Sequence, residues 1–202
     1  VSVSMKKKNM IIHIIGGTGR MGQWFKYFFE ARKFSVTAAD RNYLKKTELI
    51  RRADIVVISV PISRTVGVIM EIIPFLSKKQ LIVDIASVKT IVMKAMKKAT
   101  CATLGMHPLF GPSIGSVTGQ KIVFCRQKDN KLVNFLKALF EHAGLEVLEM
   151  TEKEHDYQMA YIQALTHTMH LLYAKTILEQ HKTIPTFFLR NRIKVQILYL
   201  IL

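Results

Sequence analysis

A short apolar run, Met10 to Ile15 (MIIHII), is followed at once by Gly16-Gly17-Thr18-Gly19-Arg20-Met21-Gly22. Met21, Trp24, Phe25, Phe28 and Phe29 then recur at helical spacing. A buried strand that turns through glycines straight into an amphipathic helix is the opening of a β-α-β unit. The string Gly17, Thr18, Gly19, Arg20, Met21, Gly22 fits G-x-G-x-x-G. Gly17 would make the tight turn, Gly19 would let the backbone approach a pyrophosphate, and Gly22 would let helix and strand pack closely. Helix N-terminal N–H groups would then face the phosphates. An acid, Asp40, ends the second apolar run 23 positions after Gly17. It is placed to accept from ribose hydroxyls, which favours NAD over NADP, although Arg41 beside it has the chemistry to meet a 2′-phosphate.

Downstream, apolar strands alternate with amphipathic helices. Strands are expected at 34–39, 54–60, 81–85, 100–106, 121–125 and 145–149. Helices are expected at 19–32, 44–52, 65–73, 88–98 and 130–142. This is the pattern of an α/β, Rossmann-type, mostly parallel sheet with helices on both faces. Near residue 150 strand signals stop. Thr151-Glu152-Lys153-Glu154 reads as a capping box, and a helical pattern runs on to about Gln180. The expectation is a dinucleotide-binding domain over 1–150 and a helical substrate or dimerisation domain, incomplete, over 151–202. The apolar stretch Ile193–Leu202 needs a surface to pack on.

Ser59, Val60 and Pro61, after the third strand, fall along the cofactor edge by position. His107 follows the fifth strand, in a loop (His107–Gly119) stiffened by Pro108 and Pro112, at the sheet edge where α/β proteins bind ligands. A histidine so held can act as a general base or simply hydrogen-bond in a turn. Cys101 and Cys125 lack metal-ligand spacing and read as small buried hydrophobes. No metal site is expected. The net charge is +16, but the lysines come in scattered pairs rather than one patch with aromatics. Nucleic-acid binding is therefore not expected, whereas attraction of an anionic substrate is. No apolar run has the length of a membrane span.

Several segments occur in one order: the glycine turn, Ala53 to Pro61 (ADIVVISVP), Asp84 to Lys89 (DIASVK), His107 to Pro112 (HPLFGP), Glu154-His155-Asp156 and Tyr161 to His167 (YIQALTH). Over residues 10 to 180 the chain resembles prephenate dehydrogenase, in its bacterial bifunctional-type branch. The resemblance implies a cytoplasmic, homodimeric enzyme of tyrosine biosynthesis. It would oxidise and decarboxylate prephenate with NAD. His107 would take the proton of the ring hydroxyl, Ser87 would hold that hydroxyl, and His155, Gln163 and His167 would line the substrate pocket. Ser87 also reads as a helix N-cap, Lys89 as a solvated first-turn residue, and His155 as a capping or packing residue. The family's substrate-anchoring arginine has only Arg190 and Arg192 as counterparts, neither clearly aligned. Arogenate as substrate and a dinucleotide-binding remnant without turnover are the alternatives.

Overall fold

The computed structural model describes residues 10–127 and 130–180. The expectations on Arg190, Arg192 and Ile193–Leu202 lie outside them. The chain divides into two compact units, 1–155 and 156–202.

The first unit is a seven-stranded sheet: β1 (Ile11–Ile15), β2 (Ser35–Ala39), β3 (Ile55–Ile58), β4 (Leu81–Asp84), β5 (Ala102–Pro108), β6 (Lys121–Arg126) and β7 (Glu146–Glu149). The spatial order is β2-β1-β3-β4-β5-β6-β7. Strands β1 to β5 are mutually parallel; β6 runs antiparallel to β5, and β7 pairs parallel with β6. The helices are α1 (Arg20–Glu30), α2 (Thr47–Arg52), α3 (Ile62–Ile72), α4 (Thr90–Met96), α5 (Lys131–His142) and α6 (Glu152–Met159). The fold is the Rossmann-type α/β sheet expected from the alternation.

Both faces of the sheet are covered, so β3 (IVVI) is apolar at every position and β1 and β4 each break the apolar run once, at His13 and at Asp84. Ile55 and Val57 pack with Phe25, Phe28, Phe29, Phe135 and Phe140 on one face. Val56 and Ile58 pack with Ile69, Ile72, Val92 and Met96 on the other. Asn130 caps α5 by accepting from the Leu132 N–H at 2.8 Å. The Thr151 box also forms: Glu154 accepts from Thr151 N–H and Oγ1–H at 2.8 Å, and Thr151 Oγ1 accepts from Glu154 N–H at 3.2 Å.

Two local expectations need correction. Strand β5 does not stop at Met106; it runs on through His107 and Pro108, because these pair with Val123 and Ile122 of β6. Helix α4 starts at Thr90, not Val88, with Lys89 at its N-cap position. Ser87 is therefore not the cap.

His13, in β1, is fully buried, with Nδ1 2.8 Å from Thr37 Oγ1. Burial, aided by the charge of Lys46, pushes its pKa down from 6.5 to about 4. Between those values the unfolded chain binds a proton that the folded chain refuses. The contribution is thus complete above pH 6.5 and is lost as pH falls toward 4, by about 3 kcal/mol in all. Urea unfolding of the wild type should show this decline, and His13→Gln should remove it. Parallel pH profiles for the two proteins would contradict the assignment.

In the second unit, 156–180 is helical, with a π-helical segment at Ala160–Leu165 between α6 and α7 (Thr166–Gln180). Tyr161, Ile162, Leu165, Met169 and Leu172 are exposed there. Among the described residues no helix is long and apolar enough to cross a membrane.

Candidate active site

The order β2-β1-β3 places a switch point beside β1, where adjoining connections leave in opposite directions and open a crevice at the carboxyl edge. Gly16 makes the turn there, with φ +90°. A Cβ on it would lie 2.1 Å from the Ser59 carbonyl oxygen, so both backbone angle and space demand glycine. The sequence reading gave that task to Gly17. Gly17 instead lies against Ala38, whose Cβ a side chain would meet at 2.5 Å. Gly22 holds α1 against the turn, since a Cβ would come within 2.1 Å of Gly16 O. Gly19 is exposed and stands at the N-cap position of α1, where a Cβ would meet Gly16 O at a tight 3.3 Å without the overlap seen at Gly16, Gly17 and Gly22.

Asp40, half-buried after β2, accepts from Thr18 Oγ1–H at 2.9 Å and from Thr18 N–H at 3.2 Å through Oδ1. The glycine turn and the acid are thus tied together. Between them and Ser59-Val60-Pro61 opens a cleft of about 820 Å³, also lined by Arg41 and Arg64. At its far side Tyr43 donates its hydroxyl hydrogen to Glu71. Burial and the Glu71 carboxylate push the Tyr43 hydroxyl up to about 12. The residues present fit a dinucleotide: an exposed glycine at a helix N-terminus, a carboxylate at the end of β2 and a cleft of about 820 Å³ between them. Arg20 is exposed and lines a separate open cleft of about 470 Å³ with Trp24 and Pro112. Met21 packs its side chain on the aromatic core, so only its backbone faces the turn.

His107 stands at the carboxyl end of β5, on the same edge, and is 6% exposed. Its Nδ1 lies 2.9 Å from Nε2 of His155, in the first turn of α6, and His155 is 0% exposed. The rings meet edge to face, 5.0 Å between centroids.

Ser87 is exposed in the turn after β4. Below it, Lys89 Nζ donates to Asp84 Oδ1 at 2.7 Å, and neither side chain has any exposure. The same oxygen accepts from the Ala86 N–H at 2.9 Å. This corrects the reading of Lys89 as solvated. The pair fits because Gly105, opposite Asp84 in register, leaves room: a Cβ there would meet Lys89 Cδ at 2.9 Å and Met93 Sδ at 2.7 Å. The sequence signal was an aspartate closing an otherwise apolar strand, five residues before a lysine. Gln163 is half-buried and His167 exposed on the helices of the second unit.

The family model for the nucleotide-binding domain of prephenate dehydrogenase matches residues 29–149. The T-protein of Haemophilus influenzae is 33% identical over 167 residues, 80% of this chain and 44% of the relative. A probable arogenate/prephenate dehydrogenase of Methanocaldococcus jannaschii is 32% identical, covering 87% of this chain and 44% of that protein. The chain therefore spans less than half the length of these curated relatives. The solved prephenate dehydrogenase of Aquifex aeolicus, in complex with hydroxyphenyl propionate and NAD+, superposes with a TM-score of 0.72 at 19% identity, over 96% of this chain and 79% of that one.

Proposed function

Because this chain belongs to the prephenate dehydrogenase family, we propose that it binds NAD in the cleft at the glycine turn and oxidatively decarboxylates prephenate. The observation that carries the reading is His107: it lies within the matched segment and at the same sheet edge as the dinucleotide cleft.

Backbone N–H groups at Gly19 to Met21 hold the pyrophosphate, and the Asp40 carboxylate receives the adenosine ribose. A 2′-phosphate would meet the charge of Asp40, so NADH binds at least about tenfold tighter than NADPH. Calorimetric titration of both checks this, and Asp40→Asn should narrow the gap. Equal affinities in the wild type would hand the role to Arg41 and Arg64.

NAD, when bound, supplies the hydride acceptor. The substrate hydroxyl hydrogen-bonds to His107 Nε2 and to Ser87, and its proton moves toward Nε2 as C4 is oxidised. Loss of CO₂ from C1 leaves its electron pair in the ring, which becomes aromatic. Prephenate dianion and NAD⁺ give 4-hydroxyphenylpyruvate monoanion, CO₂ and NADH with no net proton. His107 therefore lends its basicity and returns the proton to the phenol oxygen. Aromatisation supplies the driving force; the chain supplies position and a matched base. Gln163 and His167 are assigned to the substrate, and the net positive charge favours an approaching dianion. The exposed apolar side chains of 161–172 support a homodimer.

Arogenate is the second reading, favoured by the printed name of the Methanocaldococcus relative. Following NADH absorbance with prephenate and with arogenate separates the two. Tight nucleotide binding with no turnover of either would reject the enzyme reading.

A further inference from the structure

We infer that His155 is not a substrate ligand but the positioning residue of His107, fixing which of its ring nitrogens carries the proton. This rests on the reading of His107 as the base. The geometry is specific. The His107 Nδ1 and His155 Nε2 atoms are 2.9 Å apart, a distance at which one hydrogen sits between them. His155 has no solvent exposure, so it presents no surface to a substrate entering from the edge. Its backbone is also anchored at the start of α6. The Thr151–Glu154 box sets the start of α6, and the His155 N–H donates to Thr151 O at 3.0 Å.

A neutral imidazole is a base only at the nitrogen without hydrogen. For His107 to receive a proton at Nε2, its hydrogen must reside on Nδ1. A buried His155 that accepts that hydrogen through Nε2 enforces this tautomer. As the substrate O–H bond lengthens and the proton reaches His107 Nε2, the His107 Nδ1–H stays directed at His155 Nε2 and the imidazolium charge is shared along that bond. When the phenol forms, the proton returns and both rings are neutral again. A carboxylate performs the same service for a catalytic histidine in other enzymes. A second histidine does so without adding a negative charge beside a dianionic substrate.

The test uses the whole chain with His155→Leu and His155→Gln, with prephenate and NAD. Leucine removes the acceptor, while glutamine restores a carbonyl oxygen within reach of Nδ1–H. His155→Leu should lower kcat by about ten- to a hundredfold. KM for prephenate and calorimetric NADH affinity should stay within about twofold, and His155→Gln should recover most of the rate. A raised KM at unchanged kcat would overturn the proposal in favour of direct substrate contact. Equal losses in both variants would overturn it in favour of packing alone. Nitrogen-15 imidazole spectra of the wild type give a readout that needs no turnover. They should show His107 with hydrogen on Nδ1; hydrogen on Nε2 overturns the proposal even if every variant misfolds. Absence of wild-type turnover together with the Nδ1–H tautomer would reject the proposed function and uphold the pairing.

Discussion

His107→Asn is expected to lower kcat and kcat/KM for prephenate by about 10²–10⁴, or roughly 3–5 kcal/mol of transition-state stabilisation. Asparagine is chosen because its amide reaches no further than the Nδ1 position of histidine. It can keep a hydrogen bond to His155 while deleting the Nε2 to which the proposal assigns the substrate hydroxyl. NADH affinity should be unchanged, because the dinucleotide cleft is lined by the segments that follow β1, β2 and β3 and by α3, and His107 is not among the lining residues. Initial rates of NADH formation and a calorimetric titration of the same preparation make the comparison. A rate within about threefold of wild type would mean that His107 is not the base.

Lys89→Met is expected to destabilise the first unit by about 3–5 kcal/mol. The reason is asymmetric: the lysine and Asp84 are both wholly buried and 2.7 Å apart, so removing one leaves the other's charge buried without that counter-charge. Methionine approximates the lysine stem, so little cavity is made. Replacing both partners, as in Asp84→Asn with Lys89→Met, should recover a large part of the loss, since no orphan charge remains. Asparagine also keeps an oxygen for the Ala86 N–H, which Asp84 now serves at 2.9 Å. Urea unfolding of the two single variants and the double variant reads the cycle. A Lys89→Met loss below about 1 kcal/mol would show that the pair contributes little. Because the ion pair closes the turn that carries Ser87, surviving Lys89→Met protein should also lose activity.

The parts of this molecule written by local chemistry were legible in its sequence. The strand-to-helix glycine turn, Asp40 at the end of β2, the Thr151 box and the apolar strands all follow from spacing and residue type. Contacts made across the fold were not. The histidine 48 positions after His107 could be placed on a helix, but its partner could not be named from a one-dimensional pattern. Lys89 read as solvated because an isolated lysine usually is. Only the sheet register, which sets Gly105 beside Asp84, reveals the space that admits its side chain. The reversal of β6 has a mark in the sequence too: the segment between β5 and β6 contains no helix, and parallel crossovers usually require one.

That reversal has a consequence for how such a protein can change. Residues 109–120 leave β5 and return to β6 on adjacent rungs of one ladder, and the Leu109 N–H donates to Lys121 O at 2.9 Å across their base. The connection is a closed excursion, so a residue added or removed at its tip alters neither the path of β5 nor the height of His107 above the sheet. The connection is free to drift in length and composition while His107 stays registered to the strands beneath it. Change in the excursion is thereby separated from change in the strand that carries His107.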